Sequence, residues 1–235
     1  MKKYKLTEET IIVNDRTLYR IEALRDFANV KKGDKGGFIE KERNLSQYGN
    51  CWVYGNASVY GKAEIYGDAK VYGNAQVYGN AWVCDKAQVY GNAQVYGNAQ
   101  VYDNASVCDN AQVYNNAKVF ENAEVSFDAK VYEYAKVYEY AMVQGNAKVY
   151  GNAEIRTNAC IYGDAVIDSI GDYIVFKNFW SSGRSFTWTK SNNMWKVGCF
   201  YGTGEELIEK AYKDSEISGR EYERIVKYVE TIKGE

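Results

Sequence analysis

A six-residue sequence repeat continues without interruption through the middle of the chain, and it constrains the fold more than any other feature. An aliphatic residue opens every hexad from Val53 to Ile167, and an alanine follows it by four positions from Ala57 to Ala165. Tyrosine, glycine and asparagine fill most positions between them. In the segment alanine–variable–aliphatic–tyrosine, the first and third side chains point one way and the other two point the opposite way, as in a short strand. The glycine–asparagine pair then tolerates the left-handed backbone of a turn. Each hexad therefore predicts one strand and one corner, stacked on its neighbours because a single hexad cannot bury its apolar face.

This pattern resembles the hexapeptide-repeat family of left-handed parallel β-helices, whose signature places an aliphatic residue first and a small one four positions later. The resemblance implies three hexads per coil and hence a triangular prism. About twenty hexads then give about 6–7 coils, a prism about 30 Å long at a spacing of roughly 4.8 Å per layer. We expect an all-β solenoid, a left-handed parallel β-helix, over residues 47–167.

Both ends differ from the repeat and predict caps that block the open edges of the solenoid. Residues 1–46 predict a small β cap, with a hairpin at Asn14-Asp15 between two β-rich stretches. Residues 168–235 predict an α+β cap. Its first half contains three predicted strands of an antiparallel meander, and these are Asp172–Phe176, Ser185–Thr189 and Met194–Phe200.

Two helices are predicted after this meander. Thr203 with Glu206, and Ser218 with Glu221, both have the spacing of a capping box. The second helix carries one apolar face, which predicts that it packs on the meander.

The ends also carry a narrower resemblance. The segments Leu18–Phe27, Gly33–Glu40 and Asn44-Leu45-Ser46 are similar to the leader of repeat proteins found in phage and prophage genomes. Val197–Thr203 with the two trailing helices is similar to the C-terminal module of the same proteins. The resemblance implies a viral or prophage origin, but that family mostly lacks an assigned activity.

Alignment of the hexads at a period of eighteen residues predicts one aromatic face without a gap. Its tyrosines, our candidate site for partner binding or self-association, are Tyr60, Tyr78, Tyr96, Tyr114, Tyr132 and Tyr150. The corresponding columns on the other two faces are interrupted. The stacked rings either only cover the sheet or form a flat contact surface. Hexapeptide-repeat proteins commonly form trimers, so the resemblance implies a homo-oligomer, with a trimer favoured and this column at the interface.

The corners change between Glu121 and Tyr140, where bulky residues replace the usual glycine or asparagine. We expect these corners to differ in shape. They are interpreted either as drift of the repeat or as a local binding feature. The replacing residues are Glu121, Phe127, Glu133, Tyr134, Glu139 and Tyr140.

Composition excludes several classes of function. The net charge of −2 predicts no affinity for nucleic acid or an anionic membrane. The first ten residues are polar and no segment approaches the roughly 18 apolar residues of a membrane span. We therefore expect a protein of the bacterial cytoplasm, with its five cysteines reduced.

The chain contains no histidine. The acyltransferases of this fold generally use a histidine base and its carbonic anhydrases use histidine ligands to zinc, so neither chemistry can be assigned to any position of this sequence. No metal or other cofactor is expected.

A binding or structural role is favoured, and a hexapeptide-type acyltransferase is a less favoured alternative. One hypothesis is an intracellular antagonist that occupies a host factor, either a defence protein or a small nucleotide signal. The other is a structural or assembly element of the virus. An ice-binding role is disfavoured because the repetitive face carries tyrosine with glutamine and lysine rather than threonine. The sequence does not name the partner.

Overall fold

The computed structural model describes residues 2–233. The chain begins with β1 (Tyr4–Val13), β2 (Arg16–Ala23) and β3 (Lys35–Ile39). Asn14 and Asp15 hold φ angles of 49° and 60° between the first two strands, which confirms the predicted hairpin. A short 3₁₀ turn, Glu42–Asn44, leads into the repeats.

Twenty strands of two residues each form the body. They are β4 (Trp52–Val53), β5 (Ser58–Val59), β6 (Glu64–Ile65), β7 (Lys70–Val71), β8 (Gln76–Val77), β9 (Trp82–Val83), β10 (Gln88–Val89), β11 (Gln94–Val95), β12 (Gln100–Val101), β13 (Ser106–Val107), β14 (Gln112–Val113), β15 (Lys118–Val119), β16 (Glu124–Val125), β17 (Lys130–Val131), β18 (Lys136–Val137), β19 (Met142–Val143), β20 (Lys148–Val149), β21 (Glu154–Ile155), β22 (Cys160–Ile161) and β23 (Val166–Ile167).

Every third strand pairs in parallel, so the body has three sheets and about seven coils, as predicted. The first sheet has the order β1-β2-β3-β5-β8-β11-β14-β17-β20-β23, the second β22-β19-β16-β13-β10-β7-β4 and the third β21-β18-β15-β12-β9-β6. β3 pairs in parallel with β5, so the N-terminal hairpin extends the first sheet. The alanine and aliphatic positions of the hexads are buried and form one continuous core.

The bulky corners keep the backbone turn geometry of the other corners, so they differ from them in their side chains and not in the backbone. Glu121, Glu133 and Glu139 have φ angles of 58°, and Phe127 has 59°. The backbone ladder to the coils on either side imposes the left-handed conformation even on residues that disfavour it.

The C-terminal cap is a four-stranded antiparallel sheet covered by two helices. Its strands are β24 (Tyr173–Lys177), β25 (Ser185–Thr189), β26 (Met194–Val197) and β27 (Phe200–Gly202), and the helices are α1 (Gly204–Asp214) and α2 (Glu216–Ile232). The sequence predicted one strand where β26 and β27 lie, because it did not reveal the turn at Gly198, whose φ is 55°.

The helices cover an aromatic cluster that includes Trp188 and Trp195. The capping box at Thr203 is confirmed. The second helix begins earlier than predicted, because Ser215 caps it by accepting a hydrogen bond from the backbone N–H of Ser218 at 3.1 Å. No helix within residues 2–233 is long and apolar enough to cross a membrane.

The N-terminal cap supplies hydrogen-bond donors to the first coil. Inside the body, each variable residue donates its N–H to the alanine-slot carbonyl of the next coil, so the first coil leaves such carbonyls unpaired. The Lys3 ammonium donates to the carbonyl of Cys51 at 2.9 Å, and the Tyr4 hydroxyl donates to that of Leu45 at 2.6 Å. Lys3 is fully buried, and burial lowers the pKa of its ammonium.

The C-terminal cap supplies acceptors to the last coil, where backbone N–H groups lack a following coil. The Thr187 hydroxyl accepts from the N–H of Cys160 at 2.9 Å, and the Ser191 hydroxyl accepts from that of Val166 at 2.8 Å. The two caps therefore match the opposite polarity of the two ends, which satisfies buried backbone groups and blocks edge-to-edge stacking.

Candidate functional site: the tyrosine face and the C-terminal cleft

The tyrosine face is the outward surface of the first sheet along its six stacked rings. Adjacent rings lie nearly parallel, with centroids 4.8 to 5.1 Å apart, at Tyr60, Tyr78, Tyr96, Tyr114, Tyr132 and Tyr150. This spacing is the strand spacing of the parallel sheet, because each tyrosine directly follows a strand of one coil. The predicted column is therefore continuous in the structure.

The first two rings of the column are hydrogen-bonded to the next coil through their hydroxyls. The hydroxyl of Tyr60 donates to Gln76 at 3.3 Å, and that of Tyr78 donates to Gln94 at 3.4 Å. Burial raises the pKa of Tyr78 to about 12, so the ring is a neutral donor at physiological pH. These contacts show that the tyrosines cover the sheet, whatever else they bind.

Tyr60 is not part of the accessible surface. It is 3% exposed, because the N-terminal hairpin packs Leu18 and Phe38 against it. Asn14 at the hairpin turn also donates its side-chain N–H to the Tyr60 hydroxyl at 3.1 Å. The part of the column that a partner can reach therefore runs from Tyr78 to Tyr150, and these rings are half-buried.

The other two faces have shorter aromatic runs, as the sequence predicted. On the second sheet Tyr72 stacks on Tyr90, with centroids 4.8 Å apart. On the third sheet Tyr102, Phe120 and Tyr138 form a stack of three. The first sheet alone offers an aromatic surface over most of the prism.

The exposed aromatic corners do not form a site. Phe127, Tyr134 and Tyr140 are 50%, 63% and 62% exposed. They belong to one coil, but each follows a strand of a different sheet and so lies at a different corner of the prism. The structure therefore does not bring them together.

The cysteines are free thiols, four buried and one, Cys199, exposed. Burial raises the pKa of Cys84 and of Cys160 to about 11, so both thiols are protonated at neutral pH and are poor nucleophiles. Within residues 2–233, no three histidine, cysteine, aspartate or glutamate side chains converge to hold a metal ion.

A second candidate site, which the sequence did not reveal, is a cleft of about 440 Å³ between the C-terminal sheet and the last coils of the second sheet. Its polar lining includes Gln144, Asn158, Cys160, Arg184 and Lys196. We call it the C-terminal cleft. Its residues come from elements that lie far apart in the sequence, so no sequence motif predicts the cleft.

Comparison with known proteins supports a β-solenoid repeat over a short part of the chain. The model of the YdcK β-solenoid repeat matches residues 87–102 and 93–109, in the middle of the prism. A comparison with curated proteins found no match. The chain is thus similar, over this short stretch, to a β-solenoid repeat, in agreement with the parallel coils of the structure.

Proposed function

We propose that this chain is a non-catalytic binding protein of phage or prophage origin, which acts in the cytoplasm of the infected bacterium by occupying a host factor. The observation that carries the proposal is the accessible part of the tyrosine face, from Tyr78 to Tyr150. Its five stacked rings form a straight stripe along the prism.

The chemistry of the tyrosine face suits a protein contact. Tyrosine is enriched at interfaces because its ring gives a large apolar area and its hydroxyl remains satisfied in a wet contact. The rings here are already fixed by stacking, so binding a partner orders few further rotamers. Gln94 and Gln112, which lie beside the rings on the same sheet, offer amide donors and acceptors.

The absence of histidine from the sequence supports a non-catalytic role, since the acyltransferases and carbonic anhydrases that the repeat resembles depend on that residue. The four buried thiols offer no substitute, because they are shielded from solvent. The proposal therefore rests on recognition rather than on chemistry.

The tyrosine face is occupied either by further copies of this chain, as the expected trimer requires, or by the host factor, so self-association is tested first. The double variant Tyr96→Glu/Tyr114→Glu places two carboxylates at the centre of the stripe, where burial in a contact is costly. We expect the trimer to dissociate in light scattering while circular dichroism shows a folded prism. The matched control is Tyr72→Glu/Tyr90→Glu, which breaks an equivalent stack on the second sheet. A monomeric wild type, or equal effects of both double variants, would remove the face as a homotypic interface.

The host partner is tested by a pull-down from lysate of the bacterial host, followed by mass spectrometry. If the wild type does not self-associate through the tyrosine face, that face is free for the host factor, and we expect the wild type and the Tyr72/Tyr90 control to retain the same host protein and the Tyr96/Tyr114 variant to lose it. Capture that is the same for all three proteins would contradict the role of the tyrosine face.

A structural element of the virus is the alternative, favoured by the rigid and regular prism. The two functions differ in where the protein is found. A structural element remains in purified virus particles in fixed proportion to the capsid protein, whereas an antagonist is absent from them.

A further inference from the structure

The C-terminal cleft is formed by one defined side of the C-terminal sheet. Lys196 on β26 lies opposite Thr187 on β25 in the antiparallel register, so both side chains point to the same side of the sheet. The Thr187 hydroxyl accepts from the backbone N–H of Cys160 in the last coil. This side therefore faces the solenoid, and Lys196 projects into the space between the two.

Two cations line the cleft and no acidic side chain does. Neither Arg184 nor Lys196 forms a salt bridge with a carboxylate in the part of the chain that the structure describes. The Lys196 ammonium instead lies 4.6 Å from the centre of the Tyr162 ring.

The thiol of Cys160 does not neutralise these charges. Its pKa is raised to about 11, chiefly because it is buried, with Lys196 lowering the pKa and the carboxylate of Glu124 raising it. The lining thus carries two positive charges, and Glu124 outside it adds one negative charge. The charge at the cleft remains positive, which favours an anion.

The remaining lining can recognise an organic group. Met142 contributes an apolar side chain, and Gln144 and Asn158 contribute amides. Gln144 is held in place because its side-chain N–H donates to Glu124 at 3.1 Å. The volume of about 440 Å³ lies within the range of small-molecule sites.

We propose that the C-terminal cleft binds a small organic phosphate of the size of a nucleoside monophosphate. Arg184 and Lys196 hold the phosphate, and Met142 with the amides of Gln144 and Asn158 contact the organic part. A phosphate dianion matches two cations, and the planar guanidinium pairs with two of its oxygens at once. This site is separate from the tyrosine face, so the proposal of a phosphate site can be tested independently of the proposed function.

The experiment uses methionine methyl groups as local reporters. The chain has three methionines, and Met142 lines the cleft whereas Met194 does not. Protein labelled with ¹³C at the methionine methyl groups is titrated with adenosine 5′-monophosphate, adenosine or inorganic phosphate. We expect the monophosphate to shift the Met142 signal in a saturable way and to leave Met194 unchanged. We expect adenosine and inorganic phosphate each to bind at least about tenfold more weakly.

Variants then test the two cations. Arg184→Gln and Lys196→Met should each weaken binding by about tenfold or more, since each removes a charge-assisted hydrogen bond. The matched control is Lys190→Met, which removes an exposed cation of the same cap that does not line the cleft. Thermal melts establish that all three variants fold.

Three results would overturn the proposal. The first is a Met142 signal that none of the compounds shifts. The second is equal binding by the control and the cleft variants. The third is inorganic phosphate binding as tightly as the monophosphate, which would show that the cleft does not recognise an organic group.

Discussion

The inward face of the hexads gives the sharpest prediction about stability, with Ala93→Leu as the perturbation. Ala93 is fully buried. Its carbonyl accepts from Gln76 in the preceding coil at 2.9 Å, and the N–H of the following residue, Gln94, donates to Ala111 at 2.9 Å. Both neighbouring coils are therefore fixed, and the added volume has no space to occupy.

The expected loss in the free energy of unfolding follows from the fixed coils on both sides of Ala93. Overpacking a dense core costs about 1–3 kcal/mol, and leucine adds three carbon atoms at a position closed on both sides. We expect a loss near the top of that range, about 3 kcal/mol. For a chain of this length, 1 kcal/mol shifts the melting temperature by about 2–4 °C, so the expected decrease is about 6–12 °C.

The assay is a thermal melt followed by circular dichroism, with urea unfolding as a second measure. The matched control is Gln94→Leu, which places the same side chain one residue away on the outward side, where Gln94 is only half-buried. Asn92→Ser is a second control, since it removes only exposed hydrogen bonds to Asn74 and Asn110. We expect losses below about 1 kcal/mol for both. Equally mild effects of all three variants would refute the assignment of inward and outward faces.

Three further predictions concern the ends, the corners and pH. Thr187→Val removes the acceptor for the buried N–H of Cys160 and should lower stability by about 1–3 kcal/mol in urea unfolding; an unchanged midpoint would show that the cap does not need this bond. Phe127→Gly relieves a left-handed backbone at an exposed position and should raise stability by about 1 kcal/mol. The reverse change, Gly97→Ala, should lower the melting temperature, because its new Cβ would lie 2.8 Å from the backbone of the next coil. A destabilising Phe127→Gly together with a stabilising Gly97→Ala would contradict the corner geometry. Because the pKa of Tyr78 is raised to about 12 in the folded chain and tyrosine in the unfolded chain ionises near pH 10, the unfolded state loses protons first. Stability should be unaffected by this group below about pH 10 and fall from there to about pH 12. Melting temperatures and tyrosinate absorbance measured across that range test this. A melting temperature that does not change with pH would contradict the burial of the ring.

The body of the solenoid could be predicted from the sequence because its contacts are repeated. A residue in one coil packs on the residue eighteen positions later, as Val95 pairs with Val113 and Tyr96 stacks on Tyr114. The same local pattern therefore specifies the strand, the corner, the core and the stacking of the rings. The hairpin at Asn14 and Asp15 was predictable for a similar reason, since its turn chemistry is local.

The ends depend on contacts that have no period, and only the tertiary structure decided them. Tyr60 has the same place in the repeat as Tyr96, but the hairpin buries it. Lys3 reaches Cys51, and Thr187 reaches Cys160, because the open ends of a parallel stack require donors on one side and acceptors on the other. The C-terminal cleft arises in the same way, since the packing of the C-terminal sheet places Arg184 and Lys196 beside the last coils. The repeat determined the prism, and the packing of the caps decided which parts of its surface remain accessible.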